Sequence, residues 1–296
     1  MNVGKAIFEL ARNSGARALF VVGIGKNVGK TVTMRAIYEA ACDCGLRVGV
    51  ASVGRDGEGV DAGDAAPKPR LFLRPGTFLA TALRALPRSP AVRLVNISSL
   101  RTAAGPLVYA RVERGAYYEL IGPPTASGAH QAFDVLHSHC EAIVVDGAID
   151  RVAALAGTAG AIVVAAGAAA AGTIGEACDA VSALVRRLTV ARYDPSEEAL
   201  LVDGALTATR AAQFVAAGES RQIVVRDPTQ IALSGRAATN AFVRLRIRCL
   251  RPLHVSAVTV ASIGRERSFE PRAFARAVAA ATGLPTFDVY AGERAA

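Results

Sequence analysis

The segment Phe20-Val-Val-Gly-Ile-Gly-Lys-Asn-Val-Gly-Lys-Thr31 constrains this chain more than any other stretch of its 296 residues. Residues 18–22 are a short, continuous apolar run of the kind found in a buried parallel strand, and the run stops at Gly23. Glycines 23, 25 and 29 let the backbone turn with positive φ and bring its N–H groups close to an anion. A helical pattern begins near Gly29, so unpaired first-turn N–H groups and the positive end of the helix dipole face back into the loop. The 34 basic residues comprise thirty arginines and only four lysines, and two of those lysines, Lys26 and Lys30, sit in this loop. A flexible ammonium there meets a demand that a rigid guanidinium fork does not. Lys30 is spaced to reach the β/γ oxygens of a nucleotide and the Thr31 hydroxyl to join a Mg²⁺ shell. Gly23, Gly25, Lys26, Asn27, Val28, Gly29, Lys30 and Thr31 are thus the expected nucleotide contacts. The common G-x-x-x-x-G-K-[ST] pattern would need glycine at 24, where Ile24 stands, so this loop is one residue longer counted from Gly23.

A phosphate site of this kind needs a carboxylate to handle metal and water. Glu141-Ala-Ile-Val-Val-Asp146 reads as a buried strand ending in an acid, and Asp146 is the expected Mg²⁺ carboxylate, direct or through water. Ser52-Val-Gly-Arg-Asp-Gly-Glu58 follows another strand; there Asp56 can complete the metal shell or order the attacking water, and Arg55 can meet phosphate or a substrate carboxylate. A solvated turn is the plainer reading of Asp56 and Glu58. Residues 55–70, rich in Gly, Asp and Pro, form a candidate switch. No N-K-x-D guanine-reading motif occurs, which favours ATP. His137-Ser-His139-Cys140 has ligand-type residues without a second cluster, and a packed junction is the default. Cys42 and Cys44 point to different helix faces, which suits structural burial. Gly122-Pro-Pro-Thr125 either lines the site or makes a rigid turn.

Apolar runs at 18–22, 47–53, 142–145, 161–166, 200–202, 222–225, 255–260 and 285–289 alternate with helical stretches that include 30–44, 127–138, 173–188, 207–217 and 271–281. The alternation predicts an α/β fold with a mostly parallel, doubly wound sheet. Residues 54–124 break the pattern, and 107–112 followed by 116–121 around Glu113-Arg114-Gly115 reads as an inserted hairpin. No internal repeat is visible. A boundary near 192–196 divides the chain into a nucleotide-binding region, 1–192, and residues 193–296, a second α/β unit or the far half of one sheet. Five cysteines and a polar start without a secretory signal point to the cytoplasm. The net charge of +9 is spread over isolated arginines, with loose clusters at 186–192 and 244–251, no tryptophan and no interleaved aromatics, which argues against nucleic acid. Residues 152–175 carry no charge, yet their Ala and Gly content suits a central strand and small-residue loop better than a membrane span.

Gly23 to Thr31 resembles the G-T-x-[TS]-x-V-G-K-T loop of dethiobiotin synthetase and its cobyric acid synthase relatives, and Asp146-Gly147-Ala148 resembles the V-E-G-A segment of the synthetase. The resemblance implies a P-loop NTPase of dethiobiotin synthetase-like type, with an ATP-dependent ligase activating a small carboxylate as one reading. Proteins of that larger class often carry a second loop lysine that acts across a dimer; Lys26 lies one residue nearer Lys30 than that position, and a homodimer stays open. Over nearly the whole chain, residues 25–31, 52–58, 145–151, Ala165-Ala-Gly-Ala168 and Pro285-Thr-Phe-Asp-Val289 resemble the small reactivase subunit associated with lysine 5,6-aminomutase. That resemblance implies an ATP- and Mg²⁺-dependent ATPase that works with a MutS-like ATPase partner to restore a B12-dependent aminomutase client. A nucleotide-binding scaffold without turnover is the third reading.

Overall fold

Leu19 and Val21 pack toward one face of their strand and Phe20 and Val22 toward the other, and all four are at most 1% exposed. Such a strand needs helices on both sides, and the fold supplies them. The computed structural model describes residues 2–54, 70–87, 91–147, 160–264, 266–290 and 294–295. The chain opens with α1 (Val3–Asn13), β1 (Ala18–Gly23), α2 (Lys30–Asp43) and β2 (Val48–Ser52). Next come β3 (Leu71–Leu73), β4 (Phe78–Ala82), β5 (Val92–Thr102), β6 (Gly105–Val112), β7 (Ala116–Tyr118) and α3 (Ala126–His139). Then follow β8 (Ala142–Asp146), β9 (Gly160–Gly167), α4 (Ile174–Leu188), β10 (Ala199–Leu201), β11 (Leu206–Thr207), α5 (Ala208–Ala216) and β12 (Gln222–Val225). The chain closes with β13 (Ile231–Ala232), α6 (Gly235–Arg244), β14 (Arg246–Cys249), β15 (His254–Ala261), α7 (Pro271–Thr282), β16 (Thr286–Asp288) and β17 (Arg294–Ala295).

The main sheet has ten strands in the order β17-β16-β15-β9-β1-β8-β2-β4-β6-β5. From β16 to β4 every neighbour is parallel, while β17, β6 and β5 run antiparallel at the two ends. The molecule is therefore α/β with a large, mostly parallel central sheet. On one face α1 and α2 bury Ile7, Phe8, Ile37 and Tyr38 against Leu19, Val50 and Val144. On the other, α3, α4 and α7 bury Phe133, Val181 and Phe274 against Phe20, Val145 and Val164. Gly4 lets α1 ride on α2, since a Cβ there would lie 2.0 Å from the Ala36 carbonyl oxygen.

Between α4 and β15 the chain builds a smaller parallel sheet, β10-β12-β14, with the pair β11-β13 beside it. Its core of Ile223, Val225, Ile231, Leu206 and Ile247 is separate from the two cores of the main sheet. The run β10-β11-α5 is followed by an equivalent β12-β13-α6, a structural repeat that was not read from the sequence. Residues 255–260 and 285–289, by contrast, lie in the main sheet, the first beside β9 and the second beside β15. Arg186 links the two parts: it donates to the Phe242 carbonyl at 2.9 Å and stacks over that ring.

The hairpin expected at 107–121 is not formed. Residues 107–112 lie in β6, whose two edges are taken by β5 and β4, so no edge is left for β7. The backbone amides of Glu113 and Arg114 instead donate to the Ala91 carbonyl, and β7 pairs with β3. Phe72 of β3 stacks edge-on against Tyr117 of β7. Among the described residues no helix is long and apolar enough to cross a membrane, and residues 160–167 are a central strand.

Candidate functional site

The parallel strands all end at one edge, and the loop Gly23 to Thr31 lies there in the middle of the sheet. At such an edge, where chain direction reverses on either side of a central strand, open α/β sheets bind their ligands. From β1 the chain goes through α2 to β2 on one side, and from β8 it passes to β9 on the other. The Ile24 amide donates to the Ala165 carbonyl of β9 at 3.0 Å, which fixes the loop's first step.

Val28 anchors the loop from within. It is 1% exposed, and a Cβ on Gly167 would sit 2.7 Å from its Cα, so the end of β9 must be glycine for the loop to lie there. Asn27 takes φ 56° and Gly29 φ 87°, the left-handed values that curl the backbone into the helix. Gly29 has a second reason to lack a side chain, because a Cβ would meet that of Ala261 at 2.9 Å. Lys26 and Asn27 are exposed at the tip. Lys30 turns inward, its Nζ donating to the Gly25 carbonyl at 2.8 Å across the loop. Thr33 fastens the first turn of α2 to β15, its hydroxyl 2.8 Å from that of Thr259.

Gly29, the N-cap of α2, gives that helix no side-chain hydrogen bond, whereas α1, α3, α4, α5 and α7 are capped by Asn2, Thr125, Thr173, Thr207 and Glu270. The first turn of α2 therefore starts without a side-chain cap.

Asp146 ends β8 directly beside β1, its Cα paired with Val21 on one side and Ser52 on the other. Its backbone is locked at the edge: the Val53 amide donates to the Asp146 carbonyl and the Gly147 amide to the Val21 carbonyl, both at 3.1 Å. Gly23, Gly25, Lys26, Asn27, Val28, Gly29, Lys30, Thr31 and Asp146 are therefore brought to one edge. Asp56, Arg55 and Glu58, with most of the candidate switch, lie outside the described residues, as do Ala148 to Arg151. Among the described residues no group of three or more His, Cys, Asp or Glu side chains could hold a metal ion. Mg²⁺ does not need one, since it keeps several waters and takes one or two protein ligands beside the substrate's phosphates.

Two further segments shape this edge, the first of them the one the sequence offered as site lining or rigid turn, the second, at Ala170, not assigned from sequence. Gly122 and Pro123 pack onto the end of β2, where the Gly54 amide donates to the Pro123 carbonyl at 2.8 Å and a Cβ on Gly122 would lie 1.6 Å from the Ser52 carbonyl oxygen. Ala170 supports the loop from beyond β9, a Cβ on Gly25 falling 3.2 Å from its methyl. His137, His139 and Cys140 form a packed junction: His139 stacks on Phe78 with centroids 5.1 Å apart, and burial pushes the Cys140 thiol up to about 12. Burial likewise lowers His137 from its ordinary value, helped by the nearby Arg17 charge. All five cysteines are free thiols, and burial raises Cys42 as well. Comparisons with protein-family models, curated proteins and solved structures gave no match.

Proposed function

We propose that this chain is a P-loop protein of dethiobiotin synthetase-like type that binds Mg·ATP and hydrolyses it to drive a protein client. The observation that carries the reading is the uncapped start of α2 at the end of a glycine loop, with Lys30 folded into that loop. Five of the other six helices begin with a side-chain cap, so an open helix N-terminus here suits an anionic ligand.

In this reading Lys30 exchanges its contact with the Gly25 carbonyl for β/γ phosphate oxygens, and the amides of residues 29–31 hold the β-phosphate. Thr31 and Asp146 are the residues that would hold Mg²⁺, which offsets phosphate charge when bound. The buried Val28 and the glycine–strand contacts keep the amides aimed before substrate arrives, so little reorganisation remains at the moment of reaction. The client follows from the sequence resemblance: a B12-dependent aminomutase, restored together with a MutS-like ATPase partner. The cobalamin would belong to the client.

The test is a reconstitution. An aminomutase inactivated in turnover is incubated with this protein, its ATPase partner, ATP, Mg²⁺ and fresh adenosylcobalamin, and phosphate release is followed in parallel. Recovery of mutase activity with client-stimulated phosphate release is expected. Phosphate release stimulated by a small carboxylate instead would replace the reading with a ligase, and ATP affinity without turnover would leave a scaffold.

A further inference from the structure

At the opposite end of β1 and β8 from the phosphate loop, a cleft of about 400 Å³ opens among Arg12, Ala16, Arg17, Leu46 and Glu141. Its size falls within the range of small-molecule sites. Arg17 is held in place, its Nη2 donating to the His137 and Cys140 carbonyls, each at 3.1 Å. Arg12 lies over the Phe8 ring with its guanidinium carbon 5.9 Å from the centroid. Neither guanidinium has an ion-pair partner among the described residues. The one carboxylate of the cleft is already engaged, since Glu141 Oε2 accepts from the Arg47 amide at 3.0 Å and pairs with the Arg47 Nε at 3.4 Å.

Several carbonyls at the helix ends beside the cleft are occupied. The Ala11 carbonyl at the end of α1 accepts from the Ser14 amide and hydroxyl and from Ala16, the Arg12 carbonyl accepts from Gly15, and Arg17 takes the carbonyls of His137 in α3 and of Cys140 just after it. The result is a lined depression with two cations, one of them fixed, and an apolar floor from Leu46 and Ala16.

We propose that this cleft is a second binding site, for a small molecule recognised through an oxyanion, a phosphate or a carboxylate. Arg12 would offer paired N–H donors to that group, Arg17, whose Nη2 is taken by the two carbonyls, would add its charge and a single N–H donor, and Leu46 would carry the adjoining carbon skeleton. Hydrogen bonds from Arg47 hold the Glu141 carboxyl below its ordinary value, with the Arg12 charge adding to this.

The experiment must separate this cleft from the phosphate loop, so the full chain is studied as wild type and as Lys30→Ala. Calorimetric titrations with inorganic pyrophosphate and with citrate, at low salt, distinguish the phosphate source of binding from the carboxylate source. Binding of at least one probe that survives Lys30→Ala and weakens about tenfold or more in Arg12→Glu is expected. In parallel, amide resonances of Gly15, Ala16 and Leu46 should shift with the probe, a readout that holds even where a variant folds poorly. Failure of both probes to bind the Lys30→Ala protein overturns the proposal, and so does binding that Arg12→Glu leaves unchanged.

Discussion

Lys30 has one of its three ammonium donors on the Gly25 carbonyl, a contact that holds the side chain inside the loop. On the proposed function Lys30→Ala should weaken ATP binding by about 1.5–3 kcal/mol, roughly 10- to 100-fold, measured by calorimetry. An unchanged affinity would remove the phosphate-loop assignment. Asp146→Asn should leave nucleotide bound while abolishing much of the magnesium dependence of binding, and full magnesium dependence in that variant would move the metal role elsewhere. A third residue gives a pH dependence. The Cys140 thiol is pushed from its ordinary 9.0 up to about 12 by burial, with Arg47 and Arg17 opposing. Below about pH 9 the thiol is protonated in folded and unfolded chains alike; above it the unfolded chain releases the proton and the folded one does not, so stability falls as pH rises toward about 12. Urea midpoints measured between pH 8 and pH 11 should therefore decline, and decline less in Cys140→Ala. Tyr38, also raised to about 12 by burial, adds to the slope in both proteins.

At the scale of elements, close backbone approach decides more than side-chain chemistry. Gly122→Ala would force a methyl to within 1.6 Å of the Ser52 carbonyl oxygen, so the Pro123 segment must lift off Gly54. A loss of about 1–3 kcal/mol is expected by denaturant unfolding, and an unaffected midpoint would show that this segment does not bear on β2. Such contacts explain what was legible. Strand β1 is buried on both faces and reads as an unbroken apolar run, and α2 announces itself through the glycine that precedes it. Strand β5 is an exposed edge whose Leu94, Val95 and Ile97 are all more than 40% exposed, so its first half carries no burial pattern. Without it, β6 had to be matched to the next apolar run, and the false hairpin followed. The glycine loop at the end of β1 was legible because its turn-forming residues are consecutive in the chain. That Gly167 and Ala261 shape its surroundings was not, because each acts on a residue far away in the chain.

Across the whole molecule, two sheets with separate apolar cores meet through few ties, Arg186 to Phe242 among them. Ile223→Ala, at a fully buried position of the smaller core, should cost about 2–5 kcal/mol there. Hydrogen exchange should then quicken across residues 199–249 while residues 18–23 and 142–146 keep their protection; equal loss in both would mean that the two sheets unfold as one. Strand β1 also has a history in time. Its Ala18 pairs with Ile143 and with Gly160, partners that lie 125 and 142 residues later in the chain. At about 5–20 residues per second, a ribosome needs roughly 6–25 s to go from the first of these residues to Ile143. Through that interval an unbroken apolar strand waits without either of its sheet neighbours, with α1 and α2 as its nearest cover in the chain, so the nascent chain is prone to aggregate at a segment that later becomes fully buried.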